Sequence, residues 1–407
     1  MNCCLNRLFH SSLSRLNYHE RMHSLSVTLP SSTSTTMAGT IDFPDSTPIA
    51  YAVFAHCFTC SRFAPAASRV CKTLAEHGIA ALRFDFPGLG QSEGEFADTC
   101  FSQNVADIIA ASDWLTENYE APQLLVGHSL GGAAVLKAAT KPEMVSINAV
   151  ATMGAPFDPA HAVLHFADRV KDADEDGSVT VVLGGRDIVI SREFLEDLAD
   201  TDPQQYLPTL RKPLMLLHSP VDQTVGIENA QNIFRLTRYP KSLVSIDKAD
   251  HLFTRGTTAQ RAGRLIAEWA RPYLKPTQVP SPVSDGQAVA TIAAGTRLGS
   301  VVRTSREAIV TDRPKGNGGK GAGVSALELL MSALASATSE AVRAAARGMK
   351  LDDVRVTVIH VLDTTFERKV ELIGTLTTAQ RRELLDAAAS TDIQGMLSGA
   401  NIMDVSA

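Results

Sequence analysis

"LLVGHSLGGAAVL", residues 124–136, places a short aliphatic run, a serine between two glycines and an alanine-rich stretch one after another. That order predicts a strand from Leu124 to Val126, a tight turn, and a helix from Leu130 to Ala139. In so tight a turn, side chains at positions 127 and 131 would clash, so Gly127 and Gly131 allow Ser129 to occupy a strained tip with its oxygen exposed. A serine hydroxyl at neutral pH attacks a carbonyl only if a base takes its proton as the bond forms. Ser129 is therefore a candidate nucleophile, and the rest of the chain must supply its base and acid. Leu130, first in the helix, presents its backbone N–H to the same point, where the helix dipole favours negative charge.

Working outward, residues 50 to about 270 alternate short apolar runs with helical stretches, which predicts an α/β domain with a mainly parallel sheet covered by helices. Strands are expected at 50–55, 80–84, 124–126, 149–153, 213–218 and 243–246, with helices at 65–77, 104–118, 130–139, 227–236 and 259–273. Alternating Leu25, Val27 and Leu29 read as an earlier strand. Residues 155–211 break the rhythm, and "VTVVLGGRDIVIS" within them reads as a hairpin turning at Gly184 and Gly185, which suits a lid inserted over the sheet edge.

In this topology an acid and then a histidine follow the serine, each on a loop after a strand. "LMLLHSPVDQTV" offers Asp222 and "LVSIDKADHLF" offers His251, both at carboxyl ends of strands, where open α/β sheets place their chemistry. Asp187 lies in the inserted hairpin, and Asp250 precedes the histidine too closely to orient its ring. A second oxyanion donor is expected from "HCFTCSRF", with the backbone N–H of Phe58 paired with that of Leu130. His56 is counted with the substrate-binding residues, either shaping that loop or closing the strand.

A chain of 407 residues suits two domains, and a net charge of −6 with 20% charged residues gives no basic surface for nucleic acid. No run approaches the roughly 18 apolar residues of a membrane span, so a soluble chain without membrane contact is expected. All six cysteines (3, 4, 57, 60, 71 and 100) lie in the first quarter and read as reduced cytoplasmic thiols, the Cys57/Cys60 pair being incidental to its loop. Residues 1–21 read as a disordered extension or a mis-set start ahead of Met22. Arg7, Arg15 and Arg21, with Glu20 as the only acid up to residue 40, also give the composition of a mitochondrial presequence. A first domain over 22–271 is followed by a linker at 272–286, "PYLKPTQVPSPVSDG", which cannot continue a helix or a central strand.

Beyond the linker, residues 287–407 read as an α+β domain. Short strands precede a long helix from Ser325 to about Gly348, buried along Leu327, Met331, Leu334, Val342 and Ala345. Two strands and a helix from Thr378 to about Ala389 follow it. "DADEDG" (172–177) opens like a calcium loop but has Leu183 where a glutamate is needed. "GNGGKGAG" fails the Walker spacing because Gly321 follows Lys320. No metal and no cofactor is expected.

Together "AHCFTC", "RFDFPGLGQSEGEF", "GHSLGG", "HSPVDQTV" and "ADHLF" resemble the α/β-hydrolase superfamily over residues 24–272, in the subgroup fused to a C-terminal OsmC-like domain. The resemblance implies Ser129 as nucleophile, Asp222 as acid, His251 as base, Phe58 and Leu130 as oxyanion donors, and a small-molecule acyl substrate cleaved at an ester, thioester or amide. Residues 311–338 and 379–397 resemble the OsmC family, whose peroxidases carry two cysteines. Ala337 and Thr391 stand at those positions here, so the resemblance implies a degenerate structural module that forms a homodimer. The competing readings are an OsmC-type thiol peroxidase and a non-catalytic binding protein.

Overall fold

The computed structural model describes residues 22–44, 47–58, 60–160, 178–183, 186–276 and 281–399. The chain divides between Pro282 and Val283 into two compact units. In the first unit the strands are β1 (His23–Pro30), β2 (Thr36–Phe43), β3 (Ala50–Ala55), β4 (Ile79–Phe84), β5 (Leu124–His128), β6 (Ala149–Met153), β7 (Val179–Leu183), β8 (Arg186–Ile190), β9 (Leu214–His218) and β10 (Lys241–Ser245). Eight of them form one sheet in the order β1-β2-β4-β3-β5-β6-β9-β10, and β7 and β8 pair antiparallel as a separate hairpin. From β4 to β10 all neighbours are parallel, and β1 and β2 add an antiparallel edge.

Burial on both faces explains why the central strands read as unbroken apolar runs: every residue of β3, β4, β5, β6 and β9 is buried. The sequence pattern missed β2, since "TMAGTIDF" carries Gly39 and a carboxylate. Asp42 is nonetheless fully buried in it, held by Arg83 of β4 through Nε–H to Oδ2 at 2.7 Å. Charge pairing across strands, which no local pattern reveals, admits that residue to the sheet.

The helices of this unit are α1 (Pro65–Glu76), α2 (Phe101–Asn118), α3 (Leu130–Ala138), α4 (Arg192–Ala199), α5 (Pro203–Tyr206), α6 (Ile227–Leu236) and α7 (Thr258–Ala270). Val70 and Leu74 of α1 and Ile266 and Ala270 of α7 share one core with Phe54, Val126 and Met153 of the sheet. Each fully buried large aliphatic or aromatic side chain there contributes about 1.5–3 kcal/mol. Gly263 allows the close approach of α7 to α1, because a Cβ there would meet Thr73 Cβ at 2.8 Å. Packing continues past α7 to Leu274, which joins the same core, so the chain leaves this unit later than the proline count suggests. Residues 277–280 of the expected linker, residues 1–21, the acidic turn 172–177 and the Gly184–Gly185 turn lie outside the described residues.

Chain order sets the site. Of the parallel strands β3 comes first, β4 goes to one side of it and β5 to the other, so the connections diverge between β3 and β5. Such a switch opens a crevice at the carboxyl ends of the strands.

The second unit holds an antiparallel sheet of β11 (Val289–Ile292), β12 (Ser300–Arg303) and β13 (Ala308–Thr311), then α8 (Ala326–Ala345), the hairpin β14 (Lys350–Leu362) and β15 (Thr365–Thr375), α9 (Thr378–Ala388) and α10 (Asp392–Gly399). Reciprocal hydrogen bonds between Ser325 and Glu328 cap α8, which gives Glu328 a structural reason at the helix start. The buried stripe of α8 is Leu334, Thr338 and Val342, whereas Leu327 is 40% exposed. Thr338 is tolerated there because its hydroxyl donates to Leu334 O at 2.7 Å and accepts from Arg368 at 3.0 Å. In "RPKGNGGKGAG" the backbone N–H groups of Arg313, Lys320 and Ala322 converge on the Asp312 carboxylate, so these donors face an internal anion. Among the described residues no helix is long and apolar enough to cross a membrane.

Candidate active site

Ser129 directly follows β5 and stands at the N-cap position of α3 with φ 54°, a left-handed conformation that a non-glycine residue rarely adopts. The neighbouring glycines are required by contact. A Cβ at Gly127 would strike the Gly131 carbonyl, and one at Gly131 would strike the carbonyls of Ala55 and His56. The Ser129 amide donates to Met153 O at 2.9 Å, tying the turn to β6.

His251 arrives from the loop after β10 and Asp222 from the loop after β9. Nδ1–H of His251 donates to Asp222 Oδ2 at 2.8 Å, and Ser129 Oγ–H donates to Nε2 at 3.0 Å. The acceptor-only carboxylate sets this tautomer. Asp222 Oδ1 accepts from the amides of Thr224 (2.9 Å) and Val225 (3.0 Å). Burial pushes the Asp222 carboxyl up, but the bond to His251 and those two amides outweigh it and hold the pKa below the ordinary value. The acid is thus ionised at neutral pH, and the ring nitrogen facing Ser129 is free to accept a proton.

Several supporting groups escaped the pattern. Gly154, after β6 with φ +56°, lets the chain pass beside the acid–base pair, its Cβ position lying 3.5 Å from both Asp222 Oδ2 and His251 Nδ1. His218 Nε2–H donates to Val225 O at 2.7 Å and closes the turn that carries Asp222. Asp250 accepts from the amides of Thr254 and Arg255 and so builds the turn behind His251, leaving the ring to Asp222. The Asp187 side chain lies outside the described residues.

His128 is the most consequential of these. Its Nε2–H donates to the His251 carbonyl at 2.8 Å, and its ring lies 5.3 Å from that of His251. Burial, and then the nearby His251, push its pKa down to about 3. An unfolded histidine titrates near 6.5, so between about 3 and 6.5 the unfolded chain binds the extra proton, and stability is lost as pH falls through that window. At about 1.4 kcal/mol per pH unit, the loss at pH 5 from this residue is about 2 kcal/mol. Denaturant unfolding at pH 7.5 and pH 5 is expected to show a loss smaller by about that amount in His128→Asn than in the parent. Equal losses in the two proteins would contradict the assignment.

The loop after β3 carries Phe58. Its ring packs against Phe96 (centroids 5.3 Å apart) and Phe194 of α4 (5.7 Å), so the inserted segment helps hold the loop. Among the described residues neither the Phe58 nor the Leu130 amide donates a hydrogen bond. His56 corrects the sequence reading: it is wholly buried, with Nδ1–H on Cys57 O at 2.7 Å and Nε2 accepting from the Phe86 amide at 3.3 Å. Both nitrogens are committed to the backbone, so it shapes the loop and has none left for substrate. The same loop overturns the expectation of reduced thiols, because Cys57 and Cys60 are joined by a disulfide. Beyond it, the buried Arg62 grips Asp85 through its backbone and its guanidinium.

Residues 53–183 match the Hydrolase_4 family model, serine aminopeptidase, S33. Palmitoyl-protein thioesterase ABHD10, mitochondrial, of Mus musculus is 40% identical over 83 residues, 20% of this chain and 26% of that protein. Its Homo sapiens counterpart is 39% identical over 84 residues, with the same coverage of 20% and 26%. The match thus spans about a quarter of the length of these curated relatives. Among solved structures, the esterase domain of a Rhodothermus marinus protein is 43% identical, covers 62% of this chain and 99% of that one, and superposes with a TM-score of 0.51. Mouse alpha/beta hydrolase domain-containing protein 10 shares the fold at 20% identity, covering 61% of this chain and 99% of its own, with a TM-score of 0.50. The cytoplasmic location expected from the sequence is overturned by the curated relatives, which are mitochondrial.

Proposed function

Because the chain belongs to the α/β-hydrolase family, we propose that it is a serine hydrolase that cleaves esters and thioesters of small acyl compounds through an acyl-enzyme. Ser129 Oγ attacks the acyl carbon while His251 Nε2 takes its proton. The resulting oxyanion is met by the amides of Phe58 and Leu130, donors each worth about 10² to 10³ in rate. His251 then protonates the leaving oxygen or sulfur as the bond to the acyl carbon breaks. A water molecule, deprotonated by the same nitrogen, hydrolyses the acyl-Ser129 ester. Asp222, ionised throughout, keeps Nδ1–H in place. One observation carries this reading: an imidazole linked at 3.0 Å to a strained serine and at 2.8 Å to a buried carboxylate, from three different loops.

Thioesters enter because the curated relatives are named thioesterases, and a leaving thiolate needs less proton assistance than an alkoxide. The experiment is a series of nitrophenyl esters and matched acyl thioesters of increasing chain length. Saturable turnover with an optimum at one chain length is expected. No turnover with any member of either series would contradict the function.

Residues 287–407 we read as an OsmC-like unit with a structural, dimer-forming role. No cysteine follows Cys100, so a peroxidase reaction has no thiolate there to start from. The β14–β15 hairpin packs on α8 and α9 while leaving Ile359, Val361 and Leu362 exposed, a surface that a second copy would cover. Mitochondria are the proposed location, on the strength of the relatives' names.

A further inference from the structure

The structure assigns Cys57 and Cys60 a chemistry of their own: they form a thiol/disulfide site that exchanges with low-molecular-weight thiols such as glutathione, and its disulfide form holds the Phe58 amide in place to receive the oxyanion. The inference rests on the serine-hydrolase reading above.

Position is the first argument. The disulfide closes a loop of four residues, with Phe58 directly after Cys57. A ring so small removes little freedom from the unfolded chain, so its contribution to global stability lies at the low end for disulfides. Nor is it needed to anchor the flanks of the loop. On one side His56 is fixed to Cys57 O and the Phe86 amide. On the other the Arg62 amide donates to Asp85 Oδ1 at 2.5 Å, and the Arg62 guanidinium donates to Gln91 Oε1 at 2.5 Å. Between those anchors the segment that presents the amide is held by the Phe58 ring contacts, by the Cys60 amide donating to Cys57 O at 3.1 Å, and by the disulfide, which ties the same two residues covalently.

Access is the second argument. Cys57 is 3% exposed and Cys60 is half-buried, so an incoming thiolate meets Cys60. Cys57 borders a cavity of about 10 Å³ lined also by Phe86, Phe96, Leu130 and Gly131, which gives the released sulfur a little room. The other two described thiols are unsuited: Cys71 is wholly buried, and Cys100 caps α2 by accepting from the Gln103 amide. C-x-x-C pairs are also among the exchangeable disulfides.

The exchange balances. A thiolate attacks Cys60 Sγ, the bond between the two sulfurs breaks, and Cys57 leaves as a thiolate that takes a proton from solvent. A second thiolate attacks the mixed disulfide, releasing the small-molecule disulfide and Cys60 as a thiolate, which is protonated in turn. Two thiols have given up two electrons and the protein disulfide has gained them; the small-molecule disulfide drives the reverse.

The full-length protein would be equilibrated with reduced and oxidised glutathione in varied ratio, then assayed with a nitrophenyl ester. In parallel, alkylation with iodoacetamide and peptide mass measurement count the free thiols at 57 and 60. As these thiols are freed, kcat of the unalkylated sample is expected to fall about ten-fold, short of the 10² to 10³ expected for complete loss of one donor, and to return on reoxidation with unchanged circular dichroism. Cys57→Ser/Cys60→Ser is expected to stay at the reduced rate under every ratio, and the reversible response of the parent protein decides the matter should that variant fail to fold. Equal rates from both redox forms, or a disulfide that never forms, would overturn the inference while leaving the hydrolase reading intact. Absence of hydrolysis by both forms would sink the hydrolase reading and this inference with it.

Discussion

Ser129→Ala is expected to lower kcat/KM on a nitrophenyl ester by about 10⁴-fold or more while leaving the melting temperature within a degree or so of the parent, because the hydroxyl is needed for each covalent step. The strain at φ 54° arises from Cβ, which alanine keeps, so fold and turn are spared and only the oxygen is lost. Residual turnover would report what the backbone amides and binding achieve without a nucleophile. Matching rates from variant and parent in the same assay would mean that the chemistry lies elsewhere in the chain.

Asp222→Asn is expected to cost about 10³ to 10⁴ in kcat at neutral pH. The asparagine oxygen can still accept from Thr224 and Val225, so the loop after β9 keeps its shape. At the other position an NH₂ group would replace Oδ2 and could no longer accept the proton on Nδ1. The imidazole would then turn to its other tautomer and present Nε2–H to Ser129, where a base is required. A loss of less than ten-fold, read from steady-state kinetics beside an unchanged thermal unfolding curve, would remove Asp222 from the mechanism.

What the sequence revealed, and what it hid, follows from whether each feature is local. The Gly127–Ser129–Gly131 turn was legible because its backbone conformation demands those residues within five positions. Asp222 and His251 could be placed at strand ends because parallel sheets gather their chemistry at one edge, although the 2.8 and 3.0 Å contacts lie beyond any pattern. The Phe58–Phe96–Phe194 cluster joins three segments distant in the chain and leaves no periodic trace. β2 stayed hidden because the partner that justifies its buried Asp42 is Arg83, 41 positions away. The thiols at 57 and 60 were misread for a different reason. Compartment was used to set their redox state, whereas the turn brings their Cα atoms to 5.4 Å, within reach of a disulfide.

The most direct test of the account is the site of covalent attachment of a fluorophosphonate, read by peptide mass mapping on the folded protein. The account predicts a single adduct on the peptide containing Ser129, lost in His251→Ala, because the oxygen needs the imidazole to give up its proton. Labelling at another serine, or undiminished labelling of Ser129 once the imidazole is gone, would contradict it.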